Sequence, residues 1–366
     1  VPEQPYAPSG APRADLVLEG GGVKGLGLVG AVSVLVEAGY AFPRVAGSSA
    51  GAIVGAVLTA LERAGEPLSR LEDVARTLDV PRLRDRGPLA RFAGPLAPLV
   101  DGLSLALDSG VFEGEYLRTW MEGVLGDLGV AVFGDLRRED PEDDPATGVP
   151  ARAWSLLVTA SDLSRQRLVR LPWDYEEVYG LDPDEQRVAD AVRASASIPF
   201  FYEPVTLRSG RDGGVSTLVD GGVLSNFPIE LFDRTDGRVP RWPTFGVRLS
   251  SRPGRVLTQQ VRGPVSLALA VVETLLEASD AQHIDAPCVM ARSVFVDTTG
   301  ISATDFGIGP EQQAELVAHG RAAAGAFLAG WDWRRYLREC RGFEQDQVPP
   351  PAAPTTPAPP ATDGAP

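Results

Sequence analysis

The sequence predicts an α/β fold with a mostly parallel central sheet, and three observations carry that expectation. Short apolar runs at residues 16–18 and 42–46 alternate with longer helical runs at 26–38 and 50–64. Strand, loop, helix, strand, turn, helix is the order from which parallel sheets are built. Each strand-to-helix junction is framed by glycine: Gly20, Gly21, Gly22 and Gly25 at the first, Gly47 and Gly51 at the second. Gly39 and Gly65 stand where helices end on a left-handed residue.

The 366 residues leave room for one large α/β domain or two small ones. With 44% hydrophobic and 23% charged residues, the chain has what a sizeable core needs. Its net charge of −15 excludes nucleic acid as a partner, because such binders displace counterions with a basic face. The same charge opposes electrostatic docking on an anionic membrane, so any transient membrane-surface contact is expected to be apolar or local. Cys288 and Cys340 are the only cysteines, and His283 and His319 the only histidines. Their spacing suggests neither a disulfide framework nor a metal centre. No apolar run reaches membrane-spanning length, and residues 1–13 lack the hydrophobic stretch of a signal peptide. A cytoplasmic location, compatible with a peripheral membrane position, is the expectation.

Residues 1–13 read as a flexible lead, and 347–366, mostly Pro, Ala and Thr, as a disordered tail. Residues 87–107 are mostly Leu, Ala, Pro and Gly, broken by Pro88, Pro95 and Pro98 into pieces too short for a core helix. They read either as a loop tucked against the core or as an apolar lid beside a lipid site. Further along, 117–128 is expected to be helical, 137–150 an acidic surface loop, and 153–160 a strand ending at Ser161 and Asp162. A helix over 188–196 stops at Ile198-Pro199, strands follow at 217–219 and 245–249, and helices at 265–278 and, finally, 312–329. No internal repeat is present.

The pentapeptide Gly47-Ser48-Ser49-Ala50-Gly51 follows a short strand and opens a strongly apolar helix, the setting of a GxSxG nucleophile turn. Glycine at both flanks lets strand and helix pack closely around a strained serine. The helix N-terminus aims its dipole and free N–H groups at developing negative charge. Ser49, at the centre, is the candidate nucleophile, and Ser48 is expected to cap the helix.

Gly20, Gly22 and Gly25 also satisfy the GxGxxG pattern of dinucleotide-binding folds. A Rossmann unit needs an acidic residue about twenty positions on, at the end of the next strand, to hold a ribose. Here that stretch reads Phe42-Pro43-Arg44-Val45-Ala46-Gly47-Ser48, without an acid. An oxyanion loop is the better reading, its N–H groups each worth about 3–4 kcal/mol to a tetrahedral oxyanion. Lys24, the only lysine of the chain, lies inside this loop. It is a candidate to orient the loop or to meet a phosphate head group.

A serine triad needs a histidine downstream. His283 lies at a helix end and His319 inside the last helix, neither in the expected strand-end loop. Asp220 is the better partner: it closes a short strand, is followed by Gly221 and Gly222, and precedes Asn226-Phe227-Pro228. Strand ends of this kind face the ligand crevice. Asp212-Gly213-Gly214 repeats the same letters but reads as a polar hairpin turn.

Taken together, the GGGxxG loop at residues 20–25, the GxSxG turn at 47–51 and the DGG aspartate at 220–222 resemble the patatin-like phospholipases, in the family's order. Residues 194–200, 219–228 and 304–306 are similar to family segments, and the resemblance spans about 14–330. It implies a three-layer α/β/α fold over a hydrolase domain at 14–340, with no metal and no organic cofactor. It implies a Ser49–Asp220 dyad, in which Ser49 attacks an acyl carbonyl and Asp220 accepts its proton. N–H groups of Gly20, Gly21, Gly22 and Gly25, with Ala50, would hold the oxyanion. A carboxylate is a poor base in water, so the crevice must be dry enough to tune Asp220. The expected activity is a phospholipase A or lysophospholipase reaction on phospholipid or other fatty-acyl esters. The alternative is a soluble carboxylesterase or thioesterase using the same dyad. A catalytically silent interaction protein is disfavoured by intact Ser49 and Asp220, and the composition is silent on oligomeric state.

Overall fold

A computed structural model describes residues 11–84, 112–138, 153–249, 270–272, 274–275 and 286–344. The sequence-based readings for most of the lead, for 87–107, for nearly all of the acidic loop, for His283 and for the tail lie outside the described residues. So does most of the helix expected at 265–278, whose described residues 270–272 and 274–275 are helical.

Eight strands form one mixed sheet: β1 (Asp15–Leu18), β2 (Val45–Gly47), β3 (Leu156–Asp162), β4 (Arg167–Leu171), β5 (Val205–Arg208), β6 (Val215–Asp220), β7 (Thr244–Arg248) and β8 (Ser293–Phe295). The order is β5-β6-β3-β2-β1-β7-β8, with β4 paired to β3. From β3 to β8 all neighbours are parallel, whereas β4 and β6 run antiparallel to β3 and β5 antiparallel to β6. The expected mostly parallel sheet is present, extended by an antiparallel wing.

Alternation along the strands divides the core. Leu16, Leu18, Phe245 and Val247 point into the larger cluster, under α1 (Leu26–Glu37), α2 (Ala50–Ala64) and α7 (Pro310–Gly330). Val17, Ala46 and Leu157 point to the other face, where Phe227, Ile229, Phe232 and Val289 cover them. Period-two side-chain direction thus makes short strands apolar on both sides, as parallel strands must be. Further helices are α3 (Leu71–Arg76), α4 (Glu115–Asp127), the largely buried α5 (Val188–Ser195) and α6 (Pro287–Met290).

Three sequence readings are corrected here. The helix at 312–329 is not the last, because α8 (Trp333–Arg341) follows. Its Tyr336 and the preceding Trp331 pack against each other, and Trp331 meets Phe245 edge-on at 5.0 Å. Cys288 and Cys340, which the spacing left unpaired, form a disulfide between α6 and α8 with Cα atoms 5.3 Å apart. Long-range packing of two helices, not local spacing, brings the sulfurs together. Finally, β6 runs against the parallel strands, so Asp220 does not reach the crevice as the carboxyl end of a parallel strand. The β5–β6 hairpin lies beyond the end of β3, and β6 descends until Asp220 pairs with Ala160.

Candidate active site

Gly47 ends β2 and α2 begins at Ala50, so the chain reverses within two residues. Ser49 takes up this turn with φ 50° and ψ −118°, a left-handed conformation costly for any residue but glycine. The approach of α2 to the sheet explains Gly51, where a Cβ would fall 2.3 Å from Leu18 O. Ser49 is buried, and its N–H donates to Ser195 Oγ at 2.9 Å. Neither serine side chain caps the helix. Ser48 departs from the expected role because its Oγ is directed across the sheet, bonded to Thr159 Oγ1 at 2.6 Å and to Ser225 O at 3.2 Å.

The glycine loop is tied down on both sides. Gly20 exchanges bonds with Asn226, its N–H to Asn226 O at 3.3 Å and its carbonyl receiving Asn226 Nδ2 at 3.2 Å. Glu19, just ahead, accepts from Arg248 Nε at 3.1 Å and from Leu249 N. Val23 and Lys24 donate their N–H groups to Ala303 O and Gly21 O. Among the described residues, the N–H groups of Gly21 and Gly22 have no acceptor, and neither does that of Ala50 at the start of α2. Gly22 has φ +54°, and a Cβ there would lie 2.0 Å from Ala303 O. Gly20 is thus a fastening point whose N–H is already engaged by Asn226 O. Lys24 does not line the cavity described below.

Asp220 is fully buried at the end of β6. Its Oδ1 accepts the Gly222 N–H at 2.8 Å and its own N–H donates to Ser197 O at 2.9 Å. Gly221 leaves room for Thr159, whose Oγ1 would stand 2.5 Å from a Cβ. Burial pushes the Asp220 carboxyl up to about 7, partly countered by Ser49 and the Gly222 N–H. The Ser49 hydroxyl lies near enough to the carboxyl to act on its acidity, while Oδ2 has no hydrogen-bond partner. Catalytic hydrogen bonds are often long in a free enzyme.

The raised pKa has a stability consequence. An unfolded aspartate titrates near 3.8, the folded one near 7. Between these values the folded state keeps a proton that the unfolded state has lost, so Asp220 lowers stability as pH rises through this window. Thermal melts are therefore expected to show Asp220→Asn more stable than wild type by several degrees at pH 8. The gain should fade as pH falls toward about 4, and a pH-independent difference would refute the burial account.

From Ser49 an apolar cavity opens. Gly22, Gly25 and Ala50 form its rim, and Val29, Val54, Val57, Leu71, Leu117 and Trp120 its walls. Trp120 is held by an Nε1 bond to Thr77 Oγ1 at 3.1 Å. The remaining sequence candidates lie elsewhere. Asp212 is exposed, ion-paired with Arg165 at 3.0 Å, and its carboxyl is held down at about 2, chiefly by its bond to Ser209. His319 is exposed on α7 and its Nδ1 bonds to Asp297 O. Arg44, from the stretch that lacks a ribose-binding acid, makes a buried pair with Asp15 at the opposite ends of β1 and β2 from the glycine loop. Sequence reasoning assigned no role to Ser195, Thr159 or Asn226; only the segments holding Ser195 and Asn226 stood out.

A family model described as "Patatin-like phospholipase" matches residues 16–233. Protein YqhO of Bacillus subtilis is 36% identical over 319 residues, 87% of this chain and 99% of that protein. The NTE family protein Rv2565 of Mycobacterium tuberculosis is 26% identical over 228 residues, and the match spans 29% of its length. Among solved structures, VipD from Legionella pneumophila aligns with a TM-score of 0.46 at 17% identity, over 87% of this chain and 67% of VipD. The type III effector ExoU aligns with a TM-score of 0.40 at 18% identity, over 87% of this chain and 54% of that one.

Proposed function

Because the chain belongs to the patatin-like phospholipase family of lipid-ester hydrolases, we propose that it cleaves fatty-acyl esters with a Ser49–Asp220 dyad. The observation that carries this reading is one arrangement: a buried serine on a strained turn, facing a buried carboxyl poised near 7, at the rim of an apolar cavity. The cavity suits the alkyl chain of a fatty acid, and the ester would lie across Ser49. The hydrolase unit is proposed to run over 14–340, with phospholipid as the leading substrate class.

Ser49 Oγ attacks the ester carbonyl carbon while its proton passes to an Asp220 oxygen. The carbonyl oxygen becomes an oxyanion, received by the N–H groups of Gly21, Gly22 and Ala50. As the tetrahedral species collapses, Asp220 returns the proton to the departing alcohol oxygen and the acyl group stays on Ser49. Water then gives a proton to Asp220 and attacks the acyl carbon. The fatty acid leaves, and the proton returns to Ser49 Oγ. Burial of Asp220 makes a carboxylate basic enough for this work near neutral pH.

The test is hydrolysis of p-nitrophenyl esters of increasing chain length, beside fatty-acid release from phospholipid vesicles, across pH. The base must be ionised, so kcat/KM is expected to rise with pH, with a midpoint near 7, and to level off above about 8. Vesicle hydrolysis with a preference for long chains supports the lipid reading. Activity confined to short soluble esters would instead favour the carboxylesterase, and a midpoint near 4 would overturn Asp220 as the tuned base.

A further inference from the structure

We propose that residues 195–198, at the end of α5, form a strap that sets the geometry of Ser49 against Asp220, with Ser195 as a positioning residue for acyl transfer. This rests on the dyad reading above. Ser195 Oγ receives the Ser49 N–H at 2.9 Å, and two residues later Ser197 O receives the Asp220 N–H, also at 2.9 Å. Ser195 and Ser197 are fully buried. The alternate residues Ala196 and Ile198 line the apolar cavity. One run of four residues therefore grips both members of the dyad and also forms part of the wall on which the acyl chain rests.

The local chemistry explains why a hydroxyl is needed at 195. Ser49 stands between the end of β2 and the start of α2, outside both backbone ladders, and a buried N–H without an acceptor is costly. Ser195 Oγ meets that need from outside the turn. The strap is anchored in turn by buried Arg193, which donates to Glu203 O at 2.9 Å, to Glu113 O and to Ser197 Oγ. Ser197 Oγ closes the loop by donating to Arg193 O at 2.9 Å. A chain seated against Ala196 and Ile198 bears on the segment that aligns the reacting groups, so tail binding contributes to kcat as well as to affinity.

The experiment is Ser195→Ala in the full chain, assayed with a long-chain ester and with an alkyl fluorophosphonate that labels Ser49. The cavity wall is untouched, so KM should stay within about twofold, while kcat should fall about 10- to 100-fold. The labelling rate at saturating phosphonate, measured well below the melting temperature, should fall by the same factor; a role in stability alone would leave it unchanged. The pH midpoint should stay where it is in wild type, since the surroundings of Asp220 are kept. Ser195→Thr, which retains the acceptor, should recover most of the rate. A kcat and labelling rate within about twofold of wild type in Ser195→Ala would overturn the proposal. So would a change confined to KM. Should Ser195→Ala fail to fold, Ser195→Cys, with its weaker acceptor, must show a reduced kcat, and full activity there rejects the strap. Hydrolysis that survives Ser49→Ala defeats the dyad reading and this inference with it. Ser49-dependent hydrolysis indifferent to Ser195 defeats only the latter.

Discussion

Ser49→Ala and Asp220→Asn are each expected to lower kcat by about ten-thousand-fold or more, and the double variant by little beyond either single one. Groups that act as a unit in a proton-coupled attack are strongly non-additive. Removing Ser49 Oγ deletes the nucleophile; removing the Asp220 charge leaves that oxygen with no acceptor for its proton. Both variants should remain folded. The Ser49 side chain caps no helix, and asparagine at 220 can still accept the Gly222 N–H with its amide oxygen. Phosphonate labelling should be lost with fatty-acid release in both variants, because attack on phosphorus also requires an acceptor for the Ser49 proton. Hydrolysis that persists in Ser49→Ala would remove the mechanism at its root.

Gly51→Ala should have the largest effect on the fold near the site. The added methyl would stand 2.3 Å from Leu18 O, 2.7 Å from Leu18 C and 2.9 Å from Glu19 O. These are backbone atoms of β1 and of the entry to the glycine loop, so no side-chain rotation relieves the contact. The helix must back away from the sheet, at a cost of about 3 kcal/mol or more. Because the same helix carries Ser49 and Ala50 at its start, activity should be lost beyond what unfolding explains. Gly123→Ala, inside α4 with nothing within 4 Å of its Cβ, provides the control. It should stabilise by about 0.5–1 kcal/mol. Denaturant midpoints for the pair test both, and equal midpoints would refute the close-approach argument.

The parallel half of the sheet was legible in the sequence because its signals are local. Apolar runs at residues 16–18 and 42–46 and the glycines that follow them need no partner to be recognised. β4, β5 and β8 were not legible: Arg167–Leu171 and Val205–Arg208 are short and interrupted by arginine or threonine, and Ser293–Phe295 is too short to show a period. Such strands owe their state to the neighbours they pair with. α8 carries four arginines and buries only Tyr336 and Leu337, so its helical character depends on the aromatic cluster beneath it. Within the site, Ser49, Asp220 and the glycines stood out by motif. Ser195 could not, since its meaning is a bond to a residue 146 positions away. The reversed role of Ser48 has the same origin: its nearest hydroxyl, on Thr159, is 111 positions distant.

The register of β3 has a consequence for how this site can vary. Gly47 pairs with Val158 and Asp220 with Ala160, so two residues of one strand separate the turn that carries Ser49 from the Asp220 carboxyl. Two residues of extended backbone measure about 7 Å, and that span cannot be adjusted in smaller steps than one residue. Any such step would also turn the following side chains to the opposite face of the sheet. The loops around the crevice can therefore lengthen, shorten or change composition and alter what the enzyme accepts. The gauge between Ser49 and Asp220 is written in the backbone of β3, where a change in length of a single residue has no gentle form.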